Sequence, residues 1–284
     1  MNKNLLVSIV IPVYNEEDTL AACLEAIAVQ TVAPVEVIVV DNNSSDNTVA
    51  IAQRYPFVTV LHEQNQGVVY ARNQGFNAAR GDIIGRIDAD TLLAPNWVAN
   101  VQKVFADGKV SAASGAMRYH DMSFGSTANV IDLKIRRYLA RQLDREVAMQ
   151  GANMAVRNRT WRAVRSSLCN RSGLHEDFDI GIHILRSGGV LKFDESMVAT
   201  IGYRQAASDL RDFAHYVLLS PRTYAQHGLT SQKYMYPVVY LAIACYLPLK
   251  FAHASYDPVQ KKFSWRMLLA PAAKQRVNPA TFVD

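Results

Sequence analysis

The 284-residue chain is poor in cysteine: Cys23, Cys169 and Cys245 stand far apart and form no Cys-x-x-Cys pair. Neither a disulfide framework nor a cysteine-based zinc motif is indicated, and a reducing compartment fits. No Gly-x-Gly-x-x-Gly follows the first apolar run and no Gly-Lys-Ser/Thr loop occurs, which argues against a dinucleotide oxidoreductase and a P-loop NTPase. Charge of one sign does not dominate, with 30 Lys+Arg against 25 Asp+Glu and half the residues apolar, so disorder and low complexity are excluded. Long hydrophobic runs are also missing. The best, Met235 to Leu249, has 15 residues, contains Pro237 and Pro248, and is bounded by Lys233 and Lys250. It falls short of the about 20 residues of a spanning helix. At the other end, Met1-Asn2-Lys3, an apolar Leu5 to Val13 and Leu20-Ala21-Ala22-Cys23 imitate a lipoprotein signal. Glu16, Glu17 and Asp18 interrupt it, so a buried first strand is expected instead.

What is present is an alternation. Short β-branched runs at Leu6 to Val13, Val35 to Val40, Val58 to His62, Asp82 to Ile87 and Val110 to Met117 read as strands. Most are continuously apolar, as strands buried on both faces are. Helical spacing fills the gaps at Glu17 to Gln30, Asp46 to Arg54, Val68 to Ala79 and Pro95 to Phe105, with Asn15 and Ser45 as N-cap candidates and Pro95 suited to a first turn. Repeated β-α-β connections imply an α/β fold with a mainly parallel, right-handed sheet flanked by helices. After about residue 118 the rhythm breaks. Gly125 to Asp144 reads as a long helix, Ala148 to Val156 as a strand, Glu176 to Ser187 as a helix, Val190 to Phe193 and Met197 to Tyr203 as short strands, and Leu210 to His227 as a helix.

Ligands of such sheets bind beyond the carboxyl ends of strands. Here those positions are polar and acidic: Pro12-Val13-Tyr14-Asn15-Glu16-Glu17, Asp41-Asn42-Asn43-Ser44-Ser45-Asp46 and Asp88-Ala89-Asp90-Thr91. In extended geometry Asp88 and Asp90 project to one side, where two hard oxygen donors suit Mg²⁺ or Mn²⁺ shared with a diphosphate. The same tetrapeptide is also ordinary turn chemistry. Asp41 could hold a base or ribose, while an Asx turn explains Ser44, Ser45 and Asp46. Arg72, on the first turns of the third helix, is available to a nucleotide or to a surface ion pair. Glu176 and Asp177 open a helix, a place the helix macrodipole by itself favours for acids. Gly151-Ala152-Asn153 reads as a small, flexible backbone near a ligand or as a turn before a strand.

Together, Val10-Ile11-Pro12-Val13-Tyr14-Asn15-Glu16-Glu17, Val39-Val40-Asp41-Asn42-Asn43-Ser44-Ser45-Asp46-Asn47-Thr48, Asn65-x-Gly67 with Ala71-Arg72-Asn73-x-Gly75, Asp88-Ala89-Asp90, Gly151-Ala152-Asn153 and Glu176-Asp177 resemble the family 2 glycosyltransferases of the GT-A fold, over roughly residues 6 to 205. The resemblance implies a GT-A, Rossmann-like sheet with a donor-binding half (1–118), an acceptor-binding and catalytic half (119–230) and a C-terminal helical extension (231–284). It implies transfer with inversion from a nucleoside-diphosphate sugar, usually a UDP-sugar. Pro12, Tyr14, Glu16, Asp41, Arg72, Ala89, Gly151 and Asn153 would contact the nucleotide-sugar, Asp88 the ribose and metal, and Asp90 the metal and diphosphate. Asp177 would be the general base, with Glu176 as second choice. Arg204 and Arg222, with Gln205 nearby, lie where the family often puts diphosphate-binding groups. The processive members' Gln-x-x-Arg-Trp is absent, which favours single-sugar addition.

A base is needed when the acceptor is a hydroxyl and not when it is an already ionised lipid phosphate. A saccharide or lipid-linked saccharide is therefore favoured over a polyprenyl phosphate, and the Asp88, Asp90 and Asp177 set argues against a silent nucleotide-sugar-binding protein. A nucleotidyltransferase would show a Gly-rich, basic loop where Pro12 to Glu17 stands. Tyr234, Tyr236, Tyr240 and Tyr246, followed by Lys261-Lys262-Phe263-Ser264-Trp265-Arg266, give residues 235–266 an interfacial character. Docking on the cytoplasmic face of a membrane, a buried or homodimer-forming helix, and a true span are the readings. Arg136, Arg137, Arg141 and Arg145 make a basic helix face, but no nucleic-acid module is recognisable. His183, His215 and His227 read as packed or surface histidines, with a contribution to metal or diphosphate as the lesser alternative.

Overall fold

The first strand, β1 (Val7–Val13), is buried at every position except Pro12, which is half-buried. In chain order follow α1 (Leu20–Ala28), β2 (Glu36–Asp41), α2 (Thr48–Ala52), β3 (Val58–His62), α3 (Val68–Ala78) and β4 (Ile83–Arg86). β2 and β4 flank β1 in parallel register and β3 lies parallel beyond β2. The computed structural model describes residues 5–119, 125–143, 149–169, 173–202, 209–257 and 262–263. Arg204, Gln205, Arg145 and most of 258–266 lie outside them.

The second half adds β5 (Leu92–Leu93), α4 (Trp97–Ala106), β6 (Val110–Tyr119), α5 (Gly125–Gln142), a 3₁₀ turn at Gly151–Asn153, β7 (Met154–Arg157), α6 (Asn158–Val164), α7 (Glu176–Arg186), β8 (Val190–Ile201), α8 (Leu210–Gln226), a 3₁₀ turn at Thr230–Tyr234, and α9 (Tyr236–Ala254). One eight-stranded sheet results, in the order β3-β2-β1-β4-β7-β6-β8-β5. A separate two-stranded ribbon pairs β9 (Tyr256–Asp257) with β10 (Lys262–Phe263).

The period of two along β1 and β2 feeds two cores. Val7, Ile9, Ile11, Val13, Val37 and Val39 face α1 and α4, packing with Leu20, Leu24, Trp97 and Phe105. Val10, Ile38 and Val40 face the opposite side, with Phe76 of α3, Trp161 of α6 and Ile180 of α7. Helices on both faces are why these strands carry continuous apolar runs.

The parallel arrangement expected for the sheet holds for β1 to β4, and β6 also pairs with β8 in parallel. It fails at β7, antiparallel to β4 and β6, and at β5, antiparallel to β8. The strand expected from Ala148 is a 3₁₀ turn as far as Asn153 and strand only from Met154. Val190–Ile201 is one strand whose register against β6 shifts between Gly115 and Ala116, where an irregularity takes up Glu195, Ser196 and Met197. The first helix starts at Leu20 and the second at Thr48, so Asn15 and Ser45 cap neither. Asn15 instead has φ 55°, and its Oδ1 accepts from the Ser45 amide at 2.8 Å, a loop-to-loop tie. Pro95 stands before the Asn96 cap of α4 rather than inside its first turn.

α3 lies directly on β1 and β2 because Gly75 has no side chain. A Cβ there would sit 2.3 Å from Val10 Cγ1 and 2.9 Å from Val40 Cγ2. In a free helix Gly→Ala gains about 1 kcal/mol, whereas overpacking a filled core costs about 1–3 kcal/mol. Gly75→Ala is expected to destabilise by about 1–2 kcal/mol, read as a lower urea midpoint at unchanged slope. A neutral or raised midpoint would mean that α3 can ride off the sheet.

Candidate active site

The loops after β1, β2 and β4 meet at one end of the sheet, beside the point where β1 has β2 on one side and β4 on the other. The first two are bound to each other: the Asn15 amide donates to Ser44 Oγ at 3.0 Å, the Glu16 amide to Thr48 Oγ1 at 2.7 Å, and the Glu17 amide to Asp46 Oδ2 at 3.1 Å. Asn42 orders the loop ahead of α3. Its Nδ2 donates to the carbonyls of Glu63 (2.9 Å) and Asn65 (2.7 Å), and its Oδ1 accepts from Gly67 N at 2.7 Å. Asp41 closes an Asx turn by accepting from Ser44 N at 3.2 Å, and its other oxygen is 3.1 Å from His62 Nδ1.

The loop after β4 is a turn, in which Thr91 N donates to Asp88 O at 3.0 Å. The inference that Asp88 and Asp90 share a side because they lie on a strand therefore loses its basis. Arg86, the last residue of β4, organises this region. Its guanidinium is buried and pairs with Asp88 Oδ1 at 3.0 Å, with Glu176 Oε1 at 2.8 Å and with Asp177 Oδ1. Glu176 is held on its other oxygen by Arg72 Nη1 at 2.6 Å, and Asp177 on its other oxygen by the Gly151 amide at 2.7 Å. Gly151 has to be glycine here, since a Cβ would stand 1.3 Å from Arg86 Nη1 and 2.7 Å from Asp177 Oδ1. Arg86 Nε is buried without a hydrogen-bond partner, a donor left unsatisfied beside the acids.

Burial opposes ionisation of both acids. At Glu176 the charges of Arg86 and Arg72 outweigh it and its pKa falls to about 2. At Asp177 burial, joined by the adjacent Glu176 charge, pushes the pKa upward despite Arg86. One guanidinium thus serves two acids that repel each other: Glu176 is held ionised, and Asp177 has the higher proton affinity of the two. Burial lowers the His175 imidazole to about 4, so the ring is neutral; it stacks on Phe178 at 4.7 Å and meets the Tyr216 ring edge-on at 5.2 Å. The Tyr216 phenol is pushed up by burial and by the charges of Asp177 and Asp88.

The structure brings Arg72, Asp88, Gly151, Glu176 and Asp177 into one linked cluster. Arg72 is neither a surface ion pair nor open to solvent: it is 1% exposed, held against Glu176 and over the Trp161 ring at 5.8 Å. Pro12, Tyr14 and Asp90 are half-buried along the same strand ends. Ala89 is in the core and can offer only backbone, and Glu16 is buried, accepting from Thr19 Oγ1 at 2.9 Å. The Asn153 side chain does not face the cleft. Its amide donates to the carbonyls of Ala116 (3.0 Å) and Met197 (2.8 Å) and accepts from Trp97 Nε1 (2.8 Å), joining β6, β8 and α4. Arg222 is exposed on α8. Arg86, His175 and Tyr216 are the site groups that sequence reading missed. For Arg86 a signal existed: a lone cation closing the apolar run Ile83-Ile84-Gly85, two residues before Asp88.

Residues 8–169 match the family described as glycosyl transferase family 2. The chain belongs to that family. Its relatives include the uncharacterized glycosyltransferase YibD of Escherichia coli, 37% identical over 117 residues, which are 40% of this chain and 34% of YibD. An undecaprenyl-phosphate 4-deoxy-4-formamido-L-arabinose transferase of Serratia proteamaculans is 35% identical over 141 residues, 46% of this chain and 43% of that protein. The match thus spans a third to less than half of these relatives. Among solved structures, the mannosyltransferase PcManGT of Pyrobaculum calidifontis, in complex with GDP-Man and Mn²⁺, superposes with a TM-score of 0.62 at 22% identity, covering 94% of this chain and 78% of that one. This family 2 chain therefore shares the expected GT-A fold: an eight-stranded mixed sheet flanked by helices, with a C-terminal helix.

Removing Arg86 leaves two buried acids with one cation between them. Breaking such a pair costs about 3–5 kcal/mol because the stranded charge keeps its desolvation penalty. Arg86→Met is expected to lose that much in urea unfolding, against about 1 kcal/mol or less for Arg80→Met, whose partner Glu36 it meets with an exposed side chain. Equal losses would show that the acids are solvated.

Proposed function

We propose that the chain is a metal-assisted, inverting glycosyltransferase that moves one sugar from a nucleoside-diphosphate donor, UDP-linked in the first instance, to a hydroxyl of a saccharide or lipid-linked saccharide. The observation that carries this reading is the Arg86 bridge, which joins Asp88 of the donor turn to Glu176 and Asp177 of the opposing helix in a single buried cluster. Donor and base then belong to one site, as a single displacement requires.

In this reading the strand ends from Pro12 to Glu16, with Asp41, cradle the base and ribose. The donor set on the β4 turn fits a hard divalent cation: two carboxylates on alternate turn positions, with the Asp88 side chain 44% exposed and one of its oxygens already on Arg86. A bound Mg²⁺ or Mn²⁺ supplies charge neutralisation for the departing diphosphate. Asp177 takes the proton from the acceptor hydroxyl. Arg86 and the Gly151 amide aim its carboxylate, and Arg72 and Arg86 hold Glu176 ionised beside it. Residues 1–118 form the donor half and 119–230 the acceptor half, although the sheet runs unbroken across them.

A second reading, transfer to a polyprenyl phosphate, is favoured by the likeness to the undecaprenyl-phosphate transferase. It shares the donor site and dispenses with the base. A lipid-borne acceptor in either reading is supported by the C-terminal helix. Thr230–Ala252 is long and apolar enough to cross a membrane, contrary to the shorter run expected from sequence, and only 17% of its apolar window is buried. Tyr240, Leu241, Leu247 and Phe251 are each more than half exposed, while Val239 and Tyr246 pack inward. A helix with one packed side and one bare apolar side suits docking at a cytoplasmic membrane face.

The test is nucleotide release from a panel of UDP- and GDP-sugars with and without Mn²⁺. Asp90→Ala and Asp177→Asn are each expected to lower metal-dependent transfer to a saccharide acceptor by about 100-fold or more. Retained transfer to a polyprenyl phosphate in Asp177→Asn would establish the second reading, and intact donors throughout would remove both. In vesicle co-sedimentation, Leu241→Glu with Phe251→Glu is expected to weaken binding to anionic bilayers about tenfold or more, since each buried side chain is worth about 1.5–3 kcal/mol. Unchanged partition would assign that helix face elsewhere.

A further inference from the structure

About one turn along α7 from Glu176, four side chains from separate segments converge. Asp179 and His183 lie one helical turn apart, His227 directly follows α8, and Cys169 comes from the loop after α6. Their ligand atoms, two imidazole Nε2, one carboxylate oxygen and one sulfur, all lie within 4.8 Å of one another. Asp179 Oδ1 is 2.8 Å from His227 Nε2 and 3.4 Å from His183 Nε2, and Cys169 Sγ is 3.7 Å from His183 Nε2. Four ligands on a tetrahedral zinc ion, bonded at 2.0–2.3 Å, stand about 3.3–3.6 Å apart. The Asp179–His183 and Cys169–His183 edges are already close to that span, and the Asp179–His227 edge is shorter, at a hydrogen-bond length.

We propose that Cys169, Asp179, His183 and His227 form a structural zinc-type site, distinct from the oxygen-donor turn at Asp88 and Asp90. The inference stands independently of the transferase reading. A thiolate and two imidazoles select a borderline-soft ion such as Zn²⁺, and the thiolate and carboxylate together balance its two charges. Loading releases the Cys169 Sγ proton to solvent and needs both imidazoles in the tautomer with a bare Nε2, so the proton that His227 Nε2 shares with Asp179 moves to Nδ1. That nitrogen now faces Arg186 Nη1 at 3.1 Å, so the exposed guanidinium must turn away from it, keeping its 2.6 Å bond from Nη2 to the His227 carbonyl. Asp179 already has an outer-shell partner, since the Cys169 amide donates to its Oδ2 at 3.0 Å. Bound metal would fasten α7, two residues beyond Asp177, to α8 and to the α6 loop. The family match ends at Cys169, so three of the four ligands lie outside it.

The experiment is cobalt(II) titration of the full chain after chelator treatment, with elemental analysis of untreated protein. One equivalent of zinc is expected in untreated protein, and tetrahedral cobalt absorption with a thiolate-to-metal charge-transfer band in the titration. Cys169→Ser should abolish that band and His183→Gln should weaken zinc binding by about 100-fold or more, while Asp90→Ala should leave both unchanged. Absence of the band in the wild type, its persistence in Cys169→Ser, or its loss in Asp90→Ala would each overturn the assignment. Circular dichroism of both cluster variants separates ligand loss from unfolding, and the wild-type spectrum decides the matter even if neither variant folds.

Discussion

A buried guanidinium has to be neutralised, and Arg86 meets that demand with acids from two distant parts of the chain. It is 4% exposed, and its partners Glu176 and Asp177 lie about ninety residues further on. Left alone in the interior, such a charge would cost several kcal/mol. The end of β4 is therefore stable only when α7 is docked over it. Gly151 is the second condition, because only a residue without Cβ leaves room for the guanidinium while giving its amide to Asp177. Assembly of the cleft and completion of the fold are one event, which explains why so much charge is tolerated beneath it.

The strand-end side of the site, proposed above to take the donor, obeys a different logic. Its loops are ordered by small polar side chains bonding to backbone of neighbouring loops, as Asn42 does to the chain from Glu63 to Gly67. Asn15 and Asn43 take φ of 55° and 66°, conformations that asparagine adopts more readily than most residues. Such bonds tie the loops to one another, and two of their acids, Glu16 and Asp41, are themselves buried among them.

Legibility in the sequence follows from how local each interaction is. β1 to β4 and the helices between them were readable because apolar period and length are local properties, and the double-sided burial of β1 and β2 is written in their continuous apolar runs. Helix caps were misread for a non-local reason. Asn15 bonds to Ser45 thirty residues away rather than to its own helix. β5, two residues long, and α6, seven, are too short to carry a period. Asn153 matched a motif yet proved to be a structural pin, since a fully buried amide that bonds Ala116, Met197 and Trp97 looks in sequence like any other turn asparagine. Arg72 was visible as a residue but not as a partner, because the distance to Glu176 is closed only by tertiary packing.

α7 shows how one short helix serves several masters. Its first turn carries Glu176 and Asp177 toward the sheet, where the helix N-terminus favours their charge. Ile180 and Ile184 are fully buried in the core beneath, and Phe178 and Ile182 pack with Tyr224 of α8. Asp179 and His183 occupy the remaining side, with His227 and Cys169. Eleven residues thus leave almost no free face, and Asp177 cannot shift without disturbing either a core or the Asp179 cluster. In its proposed role of general base, Asp177 has to hold its position to a fraction of an ångström while the substrate changes. Distributing the constraint over three sides of a single helix gives that rigidity, with the carboxylate oriented by the guanidinium and the amide that aim it.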